Sequence, residues 1–357
     1  MPAALTPPGN LSGAFMSGAS PISNIIRRAG SRRPVTAKIV RLGIAACALS
    51  APLMLIQAMA PAAEAAQLNA TARIQALLDN PVNGVVNLPS GTFTIRPALR
   101  LKQAEKIIGH HTTLRVAGSS GDYTAVLGGA SAGTDLSGLT ITGVTFDQNT
   151  SGNPIRNVSA LYRGQPRFVI LVSRGTGISI TNNKFLNTNN VDTVVTGTAT
   201  ANVTISGNEF RGLNTPRHDH SSVYTSGTRT TISGNTFIGT AMYNSAAIEV
   251  HGDQVNIVRN KVSGYYRAVN IVSSDTTFSR NTVVGAGNPV DLWSTVAPGL
   301  RNVAVSGNVL NRDLRFWSGV LQQMGLTMPS AQFTTQVIRD ATSTFPFQQI
   351  TIRGNRA

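Results

Sequence analysis

The stretch Ile205-Ser206-Gly207-Asn208-Glu209-Phe210 returns along the chain with small changes. It returns closely as Ile232-Ser233-Gly234-Asn235-Thr236-Phe237. Looser copies are centred on four further asparagines: Asn183, Asn260, Asn281 and Asn308. Consecutive asparagines of this series lie 21 to 27 residues apart. A repeat of that length is typical of a solenoid, in which each coil buries its apolar face only against its neighbours.

Within each repeat, apolar residues alternate with small polar ones, as in Val203-Thr204-Ile205-Ser206. A period of two, rich in β-branched residues, predicts half-buried strands rather than helices. Stacked coils would then form parallel sheets with a spacing of about 4.8 Å per coil.

The repeated asparagines occupy one turn of each coil, so we expect them to form an internal ladder of hydrogen bonds. Aromatic residues follow two positions later and should stack inside the coil: Phe185, Phe210 and Phe237. Surface or glycosylated asparagines are disfavoured, because neither Asn208 nor Asn235 fits the Asn-x-Ser/Thr pattern.

These repeats resemble the right-handed parallel β-helix superfamily, which includes pectate-lyase-like proteins, alginate lyases and mannuronan epimerases. The resemblance extends from about Val85 to Asn355. The stretch Leu88-Pro89-Ser90-Gly91-Thr92-Phe93 matches a sequence motif that is common in the first coil of proteins of that superfamily. It implies an all-β, right-handed parallel β-helix with a short N-terminal capping helix. The same scaffold hosts lyases, hydrolases, epimerases and inert binders, so the activity has to be argued from a site.

The chain divides into four predicted segments. Residues 1–65 have the pattern of a signal peptide, with a long basic n-region and an apolar run from Leu42 to Ala60. Residues 66–110 form an N-terminal cap and the first coil, with an amphipathic helix around Thr71–Leu78. Residues 111–310 form the coils, and residues 311–357 a C-terminal capping segment and a last coil. We therefore expect a secreted or periplasmic protein without stable membrane insertion after signal cleavage.

The charge of the chain points to the chemistry of its partner. Lys and Arg number 30 and Asp and Glu 15, and the first 65 residues hold six of the basic and one of the acidic ones. The remainder therefore carries a net charge of +10, which favours an anionic partner such as an acidic polysaccharide. We predict no nucleic-acid partner, because recognition helices and dense basic runs are missing from the sequence. Oligomer formation stays open.

A candidate site follows from aligning four strands of the central coils. The residues expected to point inward share one column: Val223, Ile248, Val269 and Val290. Alternation sends their successors outward as neighbours on one ladder: Tyr224, Glu249, Asn270 and Asp291. His251 and Trp293 belong to the next outward column, and His220 and Tyr266 flank the patch.

Proton abstraction from C5 of a uronate needs a base, an acid and a group that neutralises the carboxylate. The predicted catalytic residues are His220, Tyr224, Glu249 and His251, with His251 or His220 as the base and Tyr224 as the acid. The predicted substrate-binding residues are Arg217, Tyr266, Arg267, Asn270, Asp291 and Trp293, with Arg217 or Arg267 opposite the carboxylate. This set favours a lyase or C5-epimerase acting on an acidic polysaccharide.

Two other functions stay open. A non-catalytic carbohydrate-binding or surface β-helix would use the same patch as a receptor groove. An inverting glycoside hydrolase would use Glu249 and Asp291, two coils and roughly 9–10 Å apart. No cofactor is expected, and His218, Asp219 and His220 lack the further ligands of a metal site. Calcium bound at Asp and Asn turns stays open.

Overall fold

The computed structural model describes residues 69–155, 166–188, 190–212, 220–323, 325, 336–339 and 343–357. The chain divides into two compact units at residues 68 and 69, and every described residue belongs to the second unit, Asn69–Ala357. The signal peptide predicted for residues 1–65 therefore lies outside the described residues. Within them, no helix has both the length and the apolar character needed to span a membrane.

Short strands dominate the described chain. The first helix, α1, covers residues 69–79. The first eleven strands are β1 Val85–Leu88, β2 Gly91–Ile95, β3 Leu99–Leu101, β4 Lys106–Val116, β5 Ala125–Gly129, β6 Thr140–Asp147, β7 Phe168–Thr176, β8 Ser179–Thr181, β9 Lys184–Leu186, β10 Asp192–Ser206 and β11 Glu209–Arg211. The next ten are β12 His220–Thr225, β13 Thr228–Ser233, β14 Thr236–Val250, β15 Asn256–Val258, β16 Lys261–Ile271, β17 Thr277–Ser279, β18 Thr282–Ala286, β19 Asn288–Leu292, β20 Leu300–Ser306 and β21 Val309–Arg312. Helix α2, Leu314–Gln323, and strands β22 Val337–Arg339 and β23 Phe347–Arg353 follow.

All pairings between these strands are parallel, and they form three ladders that run along the stack of coils. Ladder 1 contains β3, β5, β7, the start of β10, β12, the ends of β14 and β16, β19 and β22. Ladder 2 contains β1, the starts of β4 and β6, β8, the end of β10, β13, β15, β17, β20 and β23. Ladder 3 contains β2, the ends of β4 and β6, β9, β11, the starts of β14 and β16, β18 and β21. This confirms the predicted parallel β-helix.

The asparagine ladder closes the turn between ladders 2 and 3. Both the backbone N–H and the side-chain Nδ2 of each asparagine donate to Oδ1 of the next, at 2.8–3.2 Å. The series is Asn183, Asn208, Asn235, Asn260, Asn281, Asn308 and Asn355. The first six are buried, so the amides satisfy backbone groups that water cannot reach. The predicted ladder is confirmed.

The predicted aromatic stack is also present inside the coil. Phe185, Phe210 and Phe237 stack with ring centroids 4.7 Å apart. Phe146 extends the stack on one side at 5.5 Å, and Tyr265 ends it on the other with an edge contact at 6.4 Å. All five rings are buried, so the stack contributes to the continuous apolar core.

The first coils carry the predicted capping helix. Ile74 and Leu78 of α1 are buried in the main core. The side chain of Gln75 accepts from the backbone N–H of Arg100 at 2.9 Å and donates to its carbonyl at 2.8 Å. These contacts hold α1 over the apolar face that the first coil would otherwise expose.

Candidate functional site

Ladder 1 has the register that the alternation predicts. Tyr224 pairs with Glu249, Glu249 with Asn270, and Asn270 with Asp291. The inward column is completely buried: Val223, Ile248, Val269 and Val290. Strand β22 extends the outward column by one step, because Ile338 pairs with Asp291.

Three predicted catalytic side chains meet on this face. The Nε2 atom of His251 lies 2.8 Å from Oε1 of Glu249, and the His251 ring stacks on Tyr224 with centroids 4.7 Å apart. The side chains of His251 and Glu249 are 25% and 13% exposed, so both reach solvent. A carboxylate in this position fixes the orientation of the imidazole ring, which suits a general base.

Further along the ladder, Arg267 and Asp291 form a buried ion pair. Nε of Arg267 donates to Oδ2 of Asp291 at 2.7 Å, and the two side chains are 4% and 2% exposed. The guanidinium also lies 5.3 Å from the ring centroid of Tyr266 and 5.8 Å from that of Trp293. The pair is thus enclosed between two aromatic rings, and the charge of Arg267 is already compensated inside the protein.

The remaining predicted binding residues on this face are also buried. Asn270 is buried and Trp293 is 7% exposed. Oδ1 of Asn270 and Nε1 of Trp293 have no hydrogen-bond partner among the described residues. After Trp293, the backbone N–H of Ser294 donates to Oγ of Ser343, so the C-terminal segment contacts the residue that follows this tryptophan. Unsatisfied buried polar groups are unusual in folded proteins, and a functional role is one of their explanations.

The structure separates the other flanking residues from the exposed cluster. His220 is buried at the start of β12 and pairs in register with Ser245. Tyr266 is buried against Trp317, with ring centroids 5.3 Å apart. Arg217 lies outside the described residues.

Trp317 is a contributor to this region that the sequence analysis did not single out. It is fully buried, and its Nε1 donates to the carbonyl of Gly285 at 2.8 Å. Leu321 of α2 joins Tyr266 and Trp317 in one apolar cluster. The i, i+4 spacing of Trp317 and Leu321 was a readable signal of an amphipathic helix, but it does not say which coil the helix covers.

The cluster of Tyr224, Glu249 and His251 can therefore bind and transfer a proton. Its neighbours on ladder 1, Asn270, Asp291 and Trp293, are buried. Glu249 is engaged by His251, and Asp291 by Arg267. Among the described residues, no three His, Cys, Asp or Glu side chains are grouped so that they could hold a metal ion.

Comparison with known proteins identifies the fold. No protein-family model and no curated protein matches the chain. Among solved structures, the tailspike of E. coli bacteriophage HK620 in complex with a pentasaccharide matches with a TM-score of 0.57 and 19% identity, over 67% of this chain and 45% of that one. A variant of that tailspike, also in complex with the pentasaccharide, matches with a TM-score of 0.60 and 17% identity, over 80% and 52%. PfbA, a surface adhesin of Streptococcus pneumoniae, matches with a TM-score of 0.53 and 13% identity, over 80% and 74%.

The chain spans about half the length of the tailspike chains that it matches. At these identities the similarity concerns the architecture, and the narrower resemblance to pectate-lyase-like proteins stays a prediction. The chain has the parallel β-helix fold that phage tailspikes and a pneumococcal adhesin also have.

Proposed function

We propose that this protein is an extracellular or surface β-helix protein that binds a polysaccharide at the cluster of Tyr224, Glu249 and His251. The observation that carries the proposal is the partly exposed His251 imidazole, held by Glu249 at 2.8 Å and stacked on Tyr224. Rings and hydrogen-bonding groups on adjacent coils suit a sugar, which has both apolar ring faces and hydroxyl edges. The HK620 tailspike holds a pentasaccharide on the same fold, which is compatible with this proposal.

We further propose that the bound sugar is a uronate and that His251 removes its C5 proton, as in lyases and C5-epimerases. The hydrogen bond between Glu249 and His251 favours this chemistry, because it fixes the orientation of the imidazole ring. Tyr224, which stacks on the His251 ring, would protonate the departing O4 in a lyase, as the C4–O bond breaks and the C5 proton goes to His251. In an epimerase it would return a proton to C5 from the opposite side of the sugar. A uronate carboxylate needs a cation, and Arg267 is poorly suited to that role because its charge is paired with Asp291 inside the protein.

The same ion pair disfavours an inverting hydrolase. Such an enzyme needs two carboxyl groups that reach the glycosidic bond. Asp291 is buried beside Arg267, whereas Glu249 is partly exposed beside His251. A binder without catalysis is the second candidate, favoured by the enclosure of Asn270, Asp291 and Trp293.

The test combines binding and turnover on one set of variants. Purified protein is mixed with alginate, polygalacturonate and neutral dextran, with and without calcium. Calorimetry measures binding, ultraviolet absorbance detects unsaturated uronate ends, and proton exchange in heavy water detects epimerase chemistry. The variants are His251→Ala, Glu249→Gln and Tyr224→Phe, and the control is His110→Ala, which removes an exposed imidazole from a distant coil.

A lyase or epimerase predicts a loss of turnover of at least about 100-fold for His251→Ala, with the control unchanged. Binding that weakens in the variants without any turnover would identify the non-catalytic candidate. Binding and turnover that are equal in all variants and the control would contradict the assignment of this cluster.

A further inference from the structure

The turn between ladders 2 and 3 carries arginines at a position that other coils give to glycine or asparagine. Arg259 and Arg280 have φ angles of 58° and 57°. The equivalent residues in the other coils are Asn182, Gly207, Gly234, Gly307 and Gly354, all with positive φ. A long side chain is disfavoured in the left-handed region, and residues held there cluster at functional sites.

Arg280 borders a hollow of about 430 Å³ on the outer surface of ladder 2. Arg259 occupies the equivalent turn position on the adjacent coil. The lining of the hollow is polar and basic: Thr277, Ser279, Ser306, Arg280, Arg353 and the backbone of Gly307. A Cβ atom at Gly307 would lie 4.0 Å from Cγ of Arg280, so the Arg280 side chain extends toward the next coil. Hydroxyl groups and guanidinium groups thus share one concave surface.

The positive charge follows the axis of the β-helix. Arg259 and Arg280 lie on adjacent coils, and Arg353 lies two coils beyond Ser279, through Ser306. At about 4.8 Å per coil, the line extends over roughly 14 Å. All three side chains are exposed, and among the described residues none of them forms an ion pair with a carboxylate.

We propose that this basic hollow is a second binding site, which takes an acidic polysaccharide lengthwise along the helix axis. Guanidinium groups lined up along the helix axis suit a chain that carries negative groups along its length. The hydroxyls of Thr277, Ser279 and Ser306 match sugar hydroxyls. Single-stranded nucleic acid fits less well, because none of the lining side chains is an aromatic ring on which bases stack.

The site is independent of the chemistry proposed at His251. Tyr224, Glu249 and His251 lie on ladder 1, whereas the hollow lies on ladder 2. Binding at the hollow therefore does not require turnover on the other face.

The experiment measures binding of polygalacturonate oligomers by calorimetry at low ionic strength. The test variant is Arg259→Asn with Arg280→Asn, because asparagine tolerates positive φ and occupies this turn at Asn182. The matched control is Arg229→Asn with Arg301→Asn, which removes two exposed arginines. Both lie near the N-terminal ends of ladder 2 strands, whereas the hollow lies at the C-terminal ends. Arg353→Gln tests the same hollow at a position without positive φ, and circular dichroism verifies folding.

We expect about tenfold weaker binding for the Arg259/Arg280 double variant, a smaller loss for Arg353→Gln, and changes below twofold for the control. The same Arg259/Arg280 double substitution is also made in the His251→Ala background, where it should weaken binding by the same factor as in the parent, because the two sites lie on different ladders. Equal losses in the test and control variants would overturn the proposal, because they would reflect net charge alone. Unchanged binding in the double variant would also overturn it. Single-stranded DNA that binds as tightly, with the same loss, would assign the hollow to polyanions in general and overturn its assignment to polysaccharide.

Discussion

Arg267 and Asp291 form a hydrogen-bonded ion pair on adjacent coils, 2.7 Å from Nε to Oδ2, with both side chains almost fully enclosed. Asp291 belongs to the outward column of ladder 1, where a sheet face would ordinarily meet water, and Arg267 pairs in register with Asn288 on the same ladder. Their burial converts a predicted binding surface into a structural element of the fold.

We expect Asp291→Ala to lower the free energy of unfolding by about 3–5 kcal/mol, because Arg267 would keep a buried charge without its partner. Urea denaturation of the purified protein measures this. Lys102→Ala is the control, because Lys102 pairs with Asp79 at 3.0 Å on the exposed surface. Exposed pairs contribute about 1 kcal/mol or less. Equal losses for the two variants would contradict the buried pair.

The asparagine ladder makes a second prediction. Asn235→Ala removes the acceptor of both Asn208 donors and the donor to the carbonyl of Ile205. We expect a loss of about 2–4 kcal/mol in unfolding free energy, because buried groups would be left unsatisfied. Asn355→Ala should cost clearly less, since Asn355 is only half-buried and water can replace its contacts. Similar losses at both positions would argue against burial as the cause.

The aromatic stack predicts a graded response to side-chain volume. Phe210 contacts Phe185 and Phe237 with centroids 4.7 Å apart on both sides. Phe210→Ala should destabilise the protein by about 3–5 kcal/mol because it leaves a cavity, and Phe210→Leu by less. Thermal unfolding at matched pH would rank the two variants, and a reversed order would contradict the packed stack.

The carboxyl group of Glu105, near the N-terminal cap, should make the stability of the protein depend on pH. This carboxyl group is buried, and neither oxygen has a hydrogen-bond partner among the described residues. Burial, with a smaller contribution from Asp79, raises the pKa of Glu105 from 4.5 to about 7. The folded state therefore keeps the proton after the unfolded state has lost it, and stability decreases as the pH rises from 4.5 to 7.

The expected loss over that window is about 3 kcal/mol, from the size of the pKa shift. Glu105→Gln keeps the shape without the ionisation, so it should match the parent at pH 4 and be more stable at pH 8. Urea denaturation at the two pH values measures the difference. A difference of the same size at both would contradict the role of ionisation.

The coil itself could be predicted from local sequence. The asparagine register, the phenylalanine stack and the inward column of Val223 and Ile248 all follow from a period of two inside a repeat of 21 to 27 residues. These patterns are local, because each strand pairs with the equivalent strand of the next coil. Pairing of Tyr224 with Glu249 follows from the same register.

The exposure of outward side chains on ladder 1 could not be predicted from the repeat. Alternation distinguishes inward from outward, but it does not say what covers an outward side chain. Tyr266 is covered by Trp317, which is 51 residues later in the chain, and Trp293 is followed by a contact to Ser343. Such contacts depend on where a capping segment folds back, and the repeat pattern has no information on that position.

The sequence by itself determined the parallel β-helix, its register and the face on which Tyr224, Glu249 and His251 meet, because those features come from periodic and nearest-neighbour interactions. Only the tertiary structure decided that His251 and Glu249 stay partly exposed while Arg267, Asp291 and Trp293 are enclosed. The physical reason is that burial and ion pairing depend on segments distant in sequence, whose packing is set by the shape of the completed coil.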